Sequence, residues 1–142
     1  MQALGRVLET VLYVDDLDAA SRFYGEVLGL EQDSGQAGLF SFFRIGEAML
    51  LLFDPTTSGK DRGSIPPHGS HGPGHACFAV PEVELDPWRQ HLESRGVAIE
   101  AEHVWPRGGR SIYFRDPAGN SLELATPRIW GLPEIASPEV PA

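Results

Sequence analysis

The chain has 142 residues, a length that fits one domain burying roughly two-thirds of its unfolded surface. With 42% hydrophobic and 22% charged residues it has an ordinary globular composition, and its formal charge of −9 with scattered Lys and Arg argues against nucleic acid as a partner. No apolar run approaches the ~20 residues of a membrane span, so no membrane partner is expected. A single cysteine, Cys77, excludes an internal disulfide, and Met1–Arg6 lacks a secretory pattern. The expectation is a cytoplasmic protein that binds a small molecule.

In chain order, Val7 to Val14 is rich in apolar and β-branched residues and reads as a buried strand that stops at Asp15-Asp16. Asp16 then caps a helix in which Leu17, Ala20, Phe23, Tyr24, Val27 and Leu28 recur at helical spacing, with Gly29 as the stop. Leu39–Arg44 and Ala48–Phe53 form a hairpin across Ile45-Gly46-Glu47, with room for a short strand near Leu30–Asp33. Residues 54–74 are rich in Gly, Pro and Ser and read as a long loop, either functional or a plain linker. The order then restarts. His75–Val80 reads as a strand, Leu85–Arg95 as a helix stopped by Gly96, and Val97–Trp105 and Arg110–Phe114 as strands. Asp116–Asn120 reads as a turn and Ser121–Ala125 as the last strand.

Overlaying the halves sets Phe43-Arg44 on Phe114-Arg115, Gly46 on Gly119, and the Glu9 strand on the His75 strand. This internal repeat predicts an α+β fold of two βαβββ modules whose mixed sheets cup around a central cleft. The boundaries are module one at 6–54, a loop at 55–74, module two at 75–126 and a tail at 127–142. In the tail Ile129, Trp130 and Leu132 are costly to leave in water and are expected to cover the cleft or a subunit boundary; residues 133–142 read as loosely ordered.

Strand alternation puts Val7, Glu9, Val11 and Tyr13 on one face of the first strand and Leu8, Leu12 and Val14 on the other. His75, Cys77 and Ala79 share the equivalent face of the second module's first strand, and Glu123 opposes Leu122 and Leu124 in the last. Glu9, His75 and Glu123 thus sit amid apolar neighbours, and buried carboxylates are costly unless paired or bound to a metal. Two Glu and one His in one cleft suit a single divalent cation such as Mn, Fe, Ni, Zn or Mg.

Three segments carry a family resemblance. They are Glu9–Leu17 with Arg22-Phe23-Tyr24 and Val27–Leu30, then His75–Val80, and then Tyr113–Leu124 with its Arg115-Asp116-Pro117-Ala118-Gly119-Asn120 turn. Together they resemble the vicinal oxygen chelate superfamily, which includes glyoxalase I, bleomycin-resistance proteins, extradiol dioxygenases and fosfomycin-resistance thiol transferases. The resemblance spans roughly residues 7–126 and implies metal positions at Glu9, where many members have His, at His75 and at Glu123. Glyoxalase I's fourth ligand position falls near Leu50, which cannot bind a metal. Ser111 and Tyr113 match substrate-contacting positions of the thiol transferases.

The resemblance implies a metal-dependent enzyme with lyase, isomerase or transferase chemistry on an oxygen-chelating substrate, the metal acting as a Lewis acid. Glu123, Tyr113 and His103 are the candidate catalytic groups; Ser111, Trp105, Arg110 and Phe42 are the candidate substrate contacts. Arg107 is a second candidate clamp, whereas His68, His71 and His91 read as loop or surface residues and Cys77 as a small packed one. Alternatives are a non-enzymatic binder of bleomycin-resistance type, with Phe42, Trp105, Tyr113 and Trp130 as apolar walls, and an extradiol-type dioxygenase. A homodimer is expected in each case.

Overall fold

The computed structural model describes residues 1–136 and divides into two compact units. The first comprises residues 1–74 together with Pro117–Asn120. Its sheet has the order β1-β4-β3-β2, with β1 (Glu9–Tyr13) parallel to β4 (Ala48–Phe53) and the hairpin partners β3 (Phe40–Ile45) and β2 (Glu31–Gln36) antiparallel. The strand expected at 30–33 is real and longer, reaching Gln36.

Helix α1 (Leu17–Arg22) starts where expected: the Asp16 side chain accepts the Ala19 N–H at 2.9 Å, satisfying one orphan donor of the first turn. It continues as one wider π turn, Phe23–Val27, closed by Leu28 N–H on the Phe23 carbonyl at 3.1 Å. Gly29, at φ 73°, then ends it in the left-handed region that only glycine enters at little cost. Ala20, Phe23, Tyr24 and Leu28 are buried, as are Phe43, Leu50 and Leu52 of the strands that α1 packs on. Each buried Leu or Phe among them contributes roughly 1.5–3 kcal/mol of transfer free energy.

After β4 the chain makes a single turn of helix, α2 (Pro55–Ser58), capped by Asp54, which accepts the Thr56 and Thr57 N–H groups at 2.9 and 3.0 Å. The loop that follows is ordered by its own bonds. Ser58 Oγ donates to the His68 carbonyl at 2.7 Å, and His68 N–H donates to the Ser58 carbonyl at 3.0 Å. Further on, Gly74 N–H donates to Asn120 Oδ1 at 2.7 Å and Asn120 Nδ2 donates to the Tyr13 carbonyl at 3.0 Å. The Pro117–Asn120 turn therefore belongs with the first unit, although in sequence it sits inside the second repeat.

The second unit comprises His75–Asp116 and the chain from Ser121 onward. Its sheet repeats the topology as β5-β8-β7-β6: β5 (His75–Ala79) is parallel to β8 (Ser121–Ala125), and β7 (Arg110–Arg115) and β6 (Ala101–Val104) are antiparallel. Helix α3 (Leu85–Ser94) follows a short 3₁₀ turn and buries Leu85 and Leu92, and Gly96 ends it at φ 77°. Phe43 of β3 and Phe114 of β7, matched by the sequence repeat, are both fully buried.

Three expectations shift. Val7 and Leu8 lie outside β1 and are exposed, so the first strand starts at Glu9. Residues 97–100 precede β6 rather than belonging to it, although Glu100 N–H still bonds the Tyr113 carbonyl at 2.8 Å. The tail forms one 3₁₀ turn, Pro127–Trp130, with Trp130 72% exposed; the tail from residue 137 lies outside the described residues. No helix among the described residues is long and apolar enough to cross a membrane.

Candidate functional site

The second unit holds a buried carboxylate whose placement follows from strand alternation. On β8, Leu122 and Leu124 turn to one face with Ile112 and Phe114 of β7, and all four are buried. Glu123 faces the opposite way, where its register partners are Cys77 on β5 and Tyr113 on β7. It is only 5% exposed, so its oxygens must find partners within the protein or in a ligand.

Two partners are in place. Ser111 Oγ donates to Glu123 Oε2 at 2.5 Å, and the indole N–H of Trp105 donates to Ser111 Oγ at 2.8 Å. Ser111 is fully buried and has one proton to give. Because the indole can only donate, that proton is directed onto the carboxylate. Trp105, Ser111 and Glu123 thus form a one-way relay that fixes the carboxylate plane.

On the other side stands His75. Its Nδ1 lies 2.9 Å from the Ser121 carbonyl, which only accepts, so Nδ1 carries a proton. Its Nε2 faces Glu123 Oε1 at 3.3 Å. In the neutral ring Nε2 presents a lone pair to an oxygen that also presents lone pairs, a repulsive arrangement unless a proton or a cation lies between them. Two donors each about 2.1 Å from one divalent cation stand roughly 3 to 3.4 Å apart, so the donor set and its spacing fit a metal ion. The His75 side chain is half exposed, which leaves the pair open on one side.

The groups around the carboxylate stay neutral. Cys77 is exposed by area, yet neighbouring side chains desolvate its thiol, and that burial together with the Glu123 charge pushes it up to about 12. Desolvation first, and then the same carboxylate, raises Tyr113 above the ordinary phenol value. Both shifts hold the proton on Cys77 and Tyr113, which leaves Glu123 and His75 as the donors that a cation would find here. The Tyr113 ring lies nearly parallel to His75, 6.4 Å between centroids.

Of the residues singled out in the sequence, Glu123, His75, Ser111, Trp105 and Tyr113 come together in this unit. His103 lies opposite Ser111 in the β6–β7 register, exposed, with its ring edge-on to Trp105 at 4.4 Å. Arg110 is engaged elsewhere: both terminal nitrogens lie 3.2 Å from Asp86 Oδ1 on the surface. Glu9 and Phe42 belong to the first unit. Glu9, expected among buried neighbours, is exposed at the start of β1, as are Val7 and Leu8 before it and Thr10 after it. Among the described residues no group of three His, Cys, Asp or Glu side chains is placed to hold a metal ion. Phe42 stacks on Phe40 at 4.2 Å and meets Phe53 edge-on at 5.3 Å.

Sequence reasoning missed three features. Ser111 and Trp105 read as substrate contacts, but Ser111 donates to Glu123 and Trp105 donates to Ser111. Cys77 is the register partner of Glu123, which the repeat pattern already implied. In the first unit the loop read as either functional or a plain linker is structured, and two of its histidines, read as bland loop residues, are engaged. His68 Nδ1 lies 2.7 Å from the Tyr13 hydroxyl, while His71, Asp15, Ser70 and Pro55 line a half-open pocket of about 180 Å³.

Comparison with known proteins places the chain in a lineage. The family model of the Glyoxalase/Bleomycin resistance protein/Dioxygenase superfamily matches residues 6–124. The chain is 32% identical over 113 residues to the glutathione transferase FosA of Serratia marcescens, covering 80% of this chain and 74% of the relative. It is 29% identical over 116 residues to the metallothiol transferase FosB of Staphylococcus epidermidis, covering 80% and 75%. A solved structure of lactoylglutathione lyase from Agrobacterium tumefaciens superposes with a TM-score of 0.89 at 43% identity, covering 92% of this chain and 100% of that one. With the repeated βαβββ topology, these matches establish that the chain belongs to the glyoxalase/bleomycin resistance protein/dioxygenase superfamily.

Proposed function

We propose that the chain is a metal-dependent enzyme in which His75 and Glu123, with Glu9 as third donor, would hold one divalent cation for a small oxygen-chelating substrate. The observation that carries this reading is the opposition of His75 Nε2 and Glu123 Oε1 at 3.3 Å, with Nδ1 already spent on a carbonyl. The similarity to a metallothiol transferase, a glutathione transferase and a lactoylglutathione lyase supports both the metal and a transferase or lyase class of reaction. Mn, Fe, Ni, Zn and Mg all accept this mixed nitrogen and oxygen donor set.

When bound, the cation supplies Lewis-acid polarisation of a substrate oxygen. The rest falls to the chain's own side chains. The Trp105–Ser111 relay holds Glu123 in one orientation, and the Ser121 carbonyl holds His75 in the tautomer whose Nε2 is free to coordinate. Tyr113, kept protonated beside Glu123, is placed to donate a hydrogen bond to an anion developing on the substrate. His103, exposed on the neighbouring strand, is the group available to take up a proton. A neutral thiol at Cys77 makes it a poor nucleophile, so a transferred thiol would come from a co-substrate.

The test is elemental analysis of untagged protein, wild type against Glu123→Ala. About one equivalent of a divalent metal in the wild type, lost in the variant, is expected. Absence of metal in both, after incubation with each of the five ions, would sink the assignment and leave a metal-free ligand binder as the account. Mixing Glu9→Ala chains with Glu123→Ala chains then locates the third donor. Metal regained in the mixture means that Glu9 acts on the His75–Glu123 pair of a second copy, and no regain means that it acts within its own chain.

A further inference from the structure

The segment from Ser58 to His68 is an Ω-loop: its ends are pinned to each other by the Ser58 and His68 bonds. From this loop Arg62 reaches back over the Phe53 ring, with its guanidinium carbon 5.6 Å from the ring centroid. Phe53 is buried and is itself bracketed by His68, edge-on at 4.7 Å, and by Phe42. Arg62 Nε and Nη2 are shielded from solvent and have no hydrogen-bond partner.

Those two nitrogens are not an arbitrary pair. Nε–H and the Nη2–H beside it lie on one edge of the planar guanidinium, the edge that takes two oxygens of a carboxylate or phosphonate side by side. A guanidinium edge shielded from water and left without an acceptor is costly, and an aromatic face beneath it offsets only part of that cost. No other buried side-chain nitrogen or oxygen among the described residues is left without a partner, so the defect is local to this loop. An arginine held over an aromatic cluster with its fork unused is what a ligand-gripping loop looks like before its ligand arrives.

We propose that the 58–68 loop is an anion-binding loop, in which the Nε/Nη2 edge of Arg62 takes the two oxygens of a small-molecule carboxylate or phosphonate whose apolar body rests on the Phe40–Phe42–Phe53 wall. The loop tip lifts to admit the anion, while the Ser58–His68 neck stays closed. Tyr13 and Phe53 are register partners, and Tyr13 lies on the same β1 face as Glu9, four residues further along. That places the anion grip on the order of 13 Å along the strand from the proposed metal donor. The site itself does not depend on the metal reading.

The experiment uses the full chain stripped of metal with a chelator, so that it remains informative if the metal reading fails. Thermal unfolding is followed with benzoate, methylphosphonate or chloride at matched ionic strength, for wild type, Arg62→Met and Arg62→Lys. Benzoate and methylphosphonate are expected to raise the wild-type melting temperature beyond chloride. Binding should fall at least tenfold in Arg62→Met and partly in Arg62→Lys, which keeps the charge and loses the fork. Without anion, Arg62→Met is expected to be at least as stable as wild type, because it removes two shielded N–H groups that have no acceptor. Three outcomes would overturn the proposal: an anion shift that survives in Arg62→Met, no shift beyond chloride, or an Arg62→Met chain clearly less stable without anion. Loss of a dimer in Arg62→Met without any anion response would likewise overturn it, by assigning the acceptor to a carboxylate of a second copy.

Discussion

A serine and an indole decide how a glutamate is presented, and this is where single-residue chemistry is sharpest. Removing the Ser111 hydroxyl leaves a buried carboxylate oxygen without its donor, at a cost of about 1–3 kcal/mol. It also frees Glu123 to rotate. Ser111→Ala is expected to weaken metal binding by about 10- to 100-fold in chelator competition, with partial rescue by Ser111→Thr and a smaller loss in Trp105→Phe. Unchanged metal affinity in Ser111→Ala would remove the relay from the mechanism. Cys77 offers a second check. A thiol pushed up to about 12 carries on the order of a thousandfold less thiolate at pH 8 than an ordinary cysteine. Alkylation should therefore be slow at pH 8, gain about tenfold per pH unit, and quicken in Glu123→Gln once the neighbouring charge is gone.

Among the elements, the 3₁₀ turn Pro127–Trp130 is fastened by glycine. Gly109 sits at φ 84°, and a Cβ there would meet Thr126 Oγ1 at 2.5 Å and Ile129 Cγ2 at 2.9 Å. Gly109→Ala combines left-handed strain with overpacking and is expected to cost about 2–4 kcal/mol, read as a drop in denaturant midpoint. The β6–β7 ladder carries an exposed pair, Arg115 Nε on Glu100 Oε2 at 2.6 Å, and hydrogen bonding by that guanidinium lowers the Glu100 carboxyl below its usual range. A lowered carboxyl stabilises the fold above the unfolded value and loses that contribution as the pH falls through the folded one. Amide protection at this edge, taken relative to the intrinsic exchange rate at each pH, should fall on acidification below the ordinary carboxylate range in wild type, and Glu100→Gln should remove that dependence. The strands and helices themselves were legible: Asp16, Gly29 and Gly96 act as the local signals said they would. The strand ends were not: β1 starts at Glu9 and β6 at Ala101, although the Leu8 carbonyl and the Glu100 N–H each still bond the neighbouring strand.

For the whole molecule, Val7 and Leu8 in the first unit and Val104, Trp130 and Leu132 in the second are each exposed, and a homodimer that covers some of them is the expected outcome. Light scattering with gel filtration at micromolar concentration should give twice the chain mass; a monomer mass would contradict it. The sequence by itself determined the repeat, the α+β architecture and the strands that carry Glu9, His75 and Glu123. It could do so because period-two and helical patterning, caps and left-handed glycines act over a few residues. Only the tertiary structure decided that Glu123 is buried while His75 and Glu9 are exposed, that Ser111 and Trp105 serve the carboxylate, and that Arg110 is spent on Asp86. It also placed the Pro117–Asn120 turn with the first unit and folded Arg62 onto Phe53. Those outcomes depend on contacts between residues far apart in the chain, whose cost or gain is set by desolvation and hydrogen-bond geometry, and neither quantity is written in local sequence.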